Sequence, residues 1–474
     1  MPILVSSISL SLSPASYGQQ ELPEIGSAGT SALSIEKEKV IGKVLMKQVR
    51  SQRGWISDPL LDEYINDLGN RLVRYSEEGR YNFNFFLINQ SDINAFAFFG
   101  GNIGVHTGLI LQTRNESELA SVLAHEIAHV TQRHLARSIE AKQRSAPLTM
   151  AGVFSSILLT LINPQLGIAA LNTTVAGQAQ AGINYTRSNE KEADRVGIAT
   201  LAKAGFDPQG APDFFGRLAA ASRYTSKPPA MLLTHPLPTS RVTDARLRAD
   251  QYSINNPINS KAFHLARVRL DVRFNLDAKA ALDKYQARIK KDPDATLNQY
   301  GMALALFANR DYTQAQQYLE KLIANAPRDL FYLDLFADVM LAQKKYPEAL
   351  KKLAKANDLM PNNQVVTLNY ANALIEAGQP EEAAEVLKSF IIVKGEHYLG
   401  YDLLTQAYKK AGDKSKEHAT KAELLVMLGG YQNAIDELQT AYNFAKKEKT
   451  QQKRILARIN QLRNEEERIK KLSI

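Results

Sequence analysis

The sequence predicts a mainly α-helical chain, with a globular helical domain holding a small β-sheet, followed by an α-solenoid of stacked helix pairs. Three observations carry that prediction. Apolar residues recur at helical spacing in segment after segment. One aromatic-rich, strand-like stretch with a Gly-Gly turn interrupts them between Asn82 and Thr107. From about Ala262 onward, small residues and prolines return every 34 positions. A chain of 474 residues, 45% hydrophobic and 23% charged, has the composition of a soluble globular protein and room for about two to four domains. It contains no cysteine, which excludes a disulfide scaffold, a thiol nucleophile and Cys-ligated metal, and leaves His, Asp and Glu as available metal ligands. The net charge of +9 and pI near 9.3 do not point to nucleic acid, because Lys and Arg are spread along helical segments with Glu and Asp among them, as on solvated faces.

Met1 to Gln20 carry no charged residue, and an apolar, Ser-rich run from Ile3 to Leu12 precedes Pro14, Ala15, Ser16, Tyr17 and Gly18. This reads as the apolar region and small-residue cleavage site of a secretory signal, without the usual basic start, so residues 1–20 are expected to direct export. Helices are expected over Ser34–Arg50 and Pro59–Tyr75, the latter from Leu60, Leu61, Tyr64, Ile65, Leu68, Leu72 and Val73. Asn82–Ile88 reads as a strand, and the runs on either side of Gly100-Gly101 read as a hairpin. Within it Asn94, Ala95, Phe96, Ala97 and Phe98 form a strand placed just before the next helix, where an edge can pair with an extended peptide backbone. An ordinary core hairpin would show the same pattern.

The next helix is expected to start at Asn115, a capping residue, with Glu118 completing a capping box. Leu119, Leu123, Ile127 and Val130 make its buried stripe, and His125 and His129 lie off it. Two histidines four apart stand one turn above each other, so both imidazoles reach one metal ion, while Glu126 between them can take a proton from water. This is the H-E-x-x-H arrangement of a zinc hydrolase, which still needs a third ligand.

From Met150 to Gly182 the chain is nearly free of charge. Asn163-Pro164 divides the segment and polar residues fill its second half, so neither half makes the roughly 20 apolar residues of a membrane span. A hairpin covering the active site is the expectation, with peripheral membrane contact as the alternative. Then comes Ser188-Asn189-Glu190-Lys191-Glu192-Ala193-Asp194, a capped helix on which Glu190 and Asp194 share a face. One carboxylate can bind the metal and the other orient a histidine; two His, one Glu and a water fill a tetrahedral catalytic zinc site. In Thr234-His235-Pro236-Leu237-Pro238-Thr239-Ser240-Arg241 the prolines fix an extended loop before a helix. There His235 can be a gate, a proton donor or a fourth ligand, and Arg241 can hold a developing oxyanion.

Together, HEIAH, NEKEAD and THPLPTSR resemble the zinc peptidase family that includes the CAAX prenyl endopeptidases and the OMA-type proteases, over about Ser34 to Arg248. The resemblance implies a compact, zincin-like helical metalloprotease domain with a small sheet, spanning residues 34–250. It implies one Zn2+ held by His125, His129 and Glu190, Glu126 as the base and Asp194 behind the ligands. It also implies His235 and Arg241 as cleft residues stabilising the tetrahedral intermediate, with His235 able to close the zinc site at rest.

Residues 262–474 form the repeat region. Ala281, Ala315, Ala349 and Ala383 share the 34-residue interval with Pro293, Pro327 and Pro361, and corresponding turns fall at Asn309-Arg310-Asp311, Ala377-Gly378-Gln379 and Ala411-Gly412-Asp413. A period of 34 with a small residue at the helix crossing resembles tetratricopeptide repeats, about five helix pairs closed by a capping helix over Lys449–Ile474. Such arrays bind proteins on their concave face. A peptidase domain followed by these repeats and preceded by an export signal resembles the periplasmic BepA group of the family. That implies a periplasmic metalloendopeptidase acting on unfolded or misassembled outer-membrane proteins and meeting the outer-membrane β-barrel assembly machinery through its repeats. The alternative is a chaperone or scaffold whose repeats do the work over a latent protease site.

Overall fold

The computed structural model describes residues 33–76, 81–145, 179–222 and 229–471. The apolar run at residues 1–20, and the uncharged segment from Met150 as far as residue 178, lie outside them. Among the described residues no helix is long and apolar enough to cross a membrane.

Helix α1 (Ile35–Arg50) starts at Ser34, whose hydroxyl accepts from the Lys37 amide, and keeps Glu36 and Glu38 in its first turn and Lys47 and Arg50 in its last, each sign where the helix dipole favours it. Helix α2 (Pro59–Val73) starts with Asp58 accepting from the Leu61 amide and with proline in the first turn, where its missing N–H costs nothing. Strands β1 (Asn84–Ile88), β2 (Ala95–Phe98) and β3 (Asn102–His106) form one sheet in the order β1-β3-β2. β2 and β3 are the expected hairpin, antiparallel from Ala95 opposite Val105 to Phe98 opposite Asn102. The turn needs both glycines, since Gly100 and Gly101 stand at φ 80 and 81, a region costly for any side chain. β1 runs parallel to β3, which leaves β2 at the sheet's edge.

Alternation along the strands builds two cores. Phe85, Leu87, Ala95, Ile103 and Val105 face the main core, while Phe86, Phe96 and Phe98 pack with Ile41, Leu45 and Val49 of α1. After α3 (Thr107–Gln112), helix α4 (Glu116–Thr131) lies on the main core through Leu119, Leu123 and Ile127. Its cap differs in detail from a reciprocal capping box: Asn115 accepts from the Glu118 amide at 3.0 Å, but the Glu118 carboxylate reaches the Arg114 amide at 2.6 Å. Val130, expected in the buried stripe, is only half-buried, and the other face of α4 is covered too. That cover is α6 (Ala179–Lys203), which follows α5 (His134–Ser145). Helices α7 (Gly210–Ser222), α8 (Ala230–Thr234) and α9 (Thr239–Ala249) complete this half of the molecule.

The repeat region opens with α10 (Lys261–Leu270) and a π-turn (Asp271–Asn275), followed by α11 (Ala278–Lys291). Four further pairs follow: α12 (Thr296–Ala308) with α13 (Tyr312–Asn325), α14 (Leu330–Ala342) with α15 (Tyr346–Leu359), α16 (Gln364–Glu376) with α17 (Pro380–Lys394), and α18 (Tyr398–Ala411) with α19 (Lys414–Met427). Helices α20 (Tyr431–Phe444) and α21 (Lys449–Lys471) close the array. The period has a physical origin at two places. Ala281, Ala315, Ala349 and Ala383 are all fully buried, where one helix of a pair crosses the next. Arg310, Lys344, Gly378 and Gly412, at the same interval, all have positive φ at the turn inside a pair, the left-handed residue that ends a helix.

The array is packed against the N-terminal half rather than strung from it. One continuous core runs from Ile56 to Ala373. Buried Arg269 binds both oxygens of Asp58 at 3.0 and 2.8 Å and Asp334 at 2.7 Å. Asn363 meets Glu63, Gln364 donates to the Pro59 carbonyl, Trp55 stands edge-on to Tyr398, and Lys47 reaches Tyr431 at 2.6 Å and Glu465 at 3.1 Å. The first helices of the pairs supply Asp334, Asn363–Gln364 and Tyr398. The face made by the first helices, expected to be a free concave binding surface, is therefore partly covered by α2 and the segment just ahead of it, while α1 meets the closing helices α20 and α21.

Arg269→Ala would leave buried Asp58 without its counter-charge and buried Asp334 with Arg273 alone, 4.0 Å away. We expect a loss of about 3–5 kcal/mol in unfolding free energy, read as a lowered denaturant midpoint in the full chain.

Candidate metal centre

Four elements deliver the site. His125 and His129 come from α4, Glu190 and Asp194 from α6, His235 from the end of α8, and Arg241 from the first turn of α9. α6 comes close enough because residue 197 is glycine: a Cβ there would stand 3.1 Å from the His125 amide nitrogen and 3.2 Å from the Ala124 carbonyl. His235 ends α8, its amide donating to the Met231 carbonyl at 2.7 Å, and the Met231 amide donates to the Ile93 carbonyl at 3.2 Å. The His235 segment is thus pinned to the residue just ahead of β2.

One ligand atom from each of His125, His129, Glu190 and His235 lies within 4.8 Å of the others. His125 Nε2 is 3.1 Å from His129 Nε2 and 3.4 Å from His235 Nδ1. Glu190 is 3.3 Å from each of the two α4 histidines and 3.1 Å from His235 Nδ1. A tetrahedral ion with bonds of about 2.0–2.1 Å has ligand-to-ligand edges of about 3.3 Å, so the donor set fits one metal ion with nitrogen and oxygen ligands. Glu126, almost fully buried on α4, points an oxygen at His235 Nε2 from 3.4 Å.

Charges around the cluster are set by burial against neighbours. Burial pushes the Glu190 carboxyl up, but His235, His129 and His125 together hold it well below the usual range, so it stays an anion. Burial dominates at His129 and takes its pKa down to about 3. At His125 burial pulls the same way, yet Asp194 and Glu190 lift the value to about 10. Asp194 faces His125 Nδ1 from 3.0 Å. Its own carboxyl, pushed up by burial, is held down by Arg241 and His125.

Arg241 departs from the sequence expectation. Its Nε and Nη2 donate to the two Asp194 oxygens at 2.8 Å each, and Nη1 donates to the Pro236 carbonyl at 2.7 Å and lies 2.8 Å from Glu190. The side chain is buried against Phe215. Committed to these carboxylates, the guanidinium clamps ligands and is not a free oxyanion donor. Of the expected substrate strand, Asn94, Ala95, Phe96 and Ala97 lie at the start of the sheet edge, and among the described residues no strand covers its far side. The sequence reading gives Glu192 no role and leaves His134 as a structural residue or one standing behind the ligands; His134 Nδ1 lies 3.0 Å from His129 Nδ1.

Residues 59–249 match the model of peptidase family M48, residues 340–390 that of a tetratricopeptide repeat, and residues 276–356 that of anaphase-promoting complex, cyclosome, subunit 3. The chain is 43% identical to the beta-barrel assembly-enhancing protease of Yersinia pestis, over 99% of this chain and 96% of the relative. It is 44% identical to the protein of that name from Escherichia coli K12, over 95% of this chain and 92% of the relative. The chain belongs to peptidase family M48, in the group of the beta-barrel assembly-enhancing proteases. More distant is the mitochondrial metalloendopeptidase OMA1 of Schizosaccharomyces pombe, 28% identical over 44% of this chain and 60% of the relative. This M48 peptidase is a metalloprotease with a helical repeat region attached.

Because α4 and α6 meet at Gly197, Gly197→Val should force them apart and separate Glu190 from His125 and His129. The expected result is loss of bound metal together with about 1–3 kcal/mol of overpacking strain, read by metal analysis and thermal denaturation.

Proposed function

We propose that the chain is a zinc endopeptidase of the periplasm that cleaves unfolded or misassembled outer-membrane proteins and assists their assembly. The observation that carries the chemical part is the convergence of His125, His129 and Glu190 beside a buried Glu126. Supporting the biological part is near full-length similarity to relatives named for β-barrel assembly. The cysteine-free set of imidazoles and a carboxylate favours zinc over harder ions. When bound there, the ion supplies a Lewis acid that polarises a carbonyl and makes water a nucleophile near neutral pH.

The chain's own residues do the rest. His125, His129 and Glu190 hold the ion. Glu126, one residue along α4 from His125, takes the proton of the attacking water and hands it to the leaving amine nitrogen. Asp194 orients His125, and Arg241 holds Asp194 and Glu190 in place. The free edge of β2, at Asn94 to Ala97, takes the substrate backbone as an added strand. His235 sits where a fourth ligand would, against Glu190 and Glu126, and so holds the site shut until it is displaced. That position also favours a second reading, a chaperone or scaffold whose repeats meet the assembly machinery while proteolysis is latent.

Glu126→Gln should keep its zinc and lose at least about 10²-fold in cleavage of casein, the scale of a lost general base. Undiminished cleavage would sink the peptidase reading, and a Glu126→Gln chain that still supports barrel assembly would favour the scaffold. His235→Ala should raise basal casein cleavage; a fall would assign His235 to the tetrahedral intermediate instead.

A further inference from the structure

The histidine five residues beyond His129 is not on the same face of a continuous helix, where five residues carry a side chain about 140° round the axis. Here the chain breaks. Arg133 takes a left-handed conformation at φ 54, and its guanidinium is anchored to buried Glu38 at 2.6 Å and to the Leu33 carbonyl at 2.6 Å. α5 restarts at His134 and swings that ring back against His129, with ring centroids 4.8 Å apart at 83°. The left-handed residue that ends α4 is fixed by a buried ion pair, and there is a reason to fix it.

The reason lies in where the ring nitrogens point. His129 turns Nε2 toward His125 and Glu190, so a neutral His129 that offers that nitrogen to a metal carries its proton on Nδ1. That N–H faces His134 Nδ1 at 3.0 Å. His134 must then accept there and carry its own proton on Nε2, which faces Glu192 at 3.1 Å. Glu192 in turn accepts from Arg137 at 3.0 Å. One arrangement of protons satisfies every link, and it runs in one direction, from the carboxylate through His134 to the ligand. His125 has its carboxylate, Asp194, beside it; among the described residues, the partner of the outer nitrogen of His129 is a second imidazole.

We propose that His134 is a positioning residue that fixes the tautomer and orientation of His129 and relays the Glu192 charge to it, so that α6 supplies a carboxylate to each α4 ligand, directly through Asp194 and indirectly through Glu192. The inference rests on the metal-site reading above. Partners at this remove change metal affinity by roughly 10- to 100-fold in comparable sites.

The test is Zn2+ affinity of the full chain by competition with a chromophoric chelator, with the Co2+ absorption spectrum as a second readout and circular dichroism of the metal-free protein as the folding control. His134→Phe should weaken binding about 10- to 100-fold and alter the Co2+ bands. His134→Asn, whose Oδ1 lies where Nδ1 was, should restore much of the affinity, because it still accepts from His129. Glu192→Gln should weaken binding in the wild-type background and add nothing in His134→Phe. The inference is overturned if His134→Phe binds Zn2+ as tightly as wild type. It is also overturned if Glu192→Gln has the same effect in both backgrounds, or if His134→Asn binds no better than His134→Phe. A wild-type chain that binds no Zn2+ would overturn the metal-site reading itself, a distinct result.

Discussion

The peptidase half depends on keeping two carboxylates ionised where water cannot reach them. Glu190 and Asp194 are 3% and 6% exposed, one turn apart on α6, and burying such charges unpaired would cost several kcal/mol each. Arg241 lies against both, which is why it must be buried and why its guanidinium is already engaged. Two negative charges against one positive leave the cluster an anion. Burial pulls the His125 and His235 imidazoles down, but the neighbouring carboxylates hold both above the ordinary range, His125 at about 10. A bound cation would supply positive charge at the same place.

The repeats bear on the same site by packing. They hold α2 through Arg269, Asn363 and Gln364 and hold α1 through the Lys47–Tyr431–Glu465 contact with the closing helices. α1 in turn carries Glu38, which anchors Arg133 at the end of the ligand helix. The chain of contacts from the solenoid to the metal ligands is therefore short and almost entirely buried. It also constrains partners, since the surface of the first helices already covered by α2 is not open to another protein.

Much of this was legible in the sequence because the relevant signals are local. H-E-x-x-H and the Glu190–Asp194 spacing put their side chains on helix faces whatever the rest of the chain does, and the 34-residue period reports a left-handed turn and a crowded helix crossing in each pair. What was not legible depends on long-range geometry. Arg241 looked like a free cleft arginine because nothing in THPLPTSR says that its guanidinium turns back onto α6. The partner of His134 was not legible because five residues is the wrong spacing for one helix face, and the left-handed break at Arg133 brings its ring to His129. The partly covered face of the first helices could not be read from a repeat period, which says how helices stack and not what they stack against. Gly197 carried no sequence signal beyond being glycine inside a helix.

The sheet edge and the His235 segment belong to one mechanical unit. α8 is five residues long, bonded at Met231 to Ile93 just ahead of β2, and ends in His235. A helix that short has too few internal hydrogen bonds to hold a shape of its own, so its position is set by what it touches: the start of β2 at one end, and Glu190 and Glu126 at the other. On the proposed reading, a strand laid along β2 would act on the first anchor and a ligand exchange at the metal on the second, so that both would act on the same single turn.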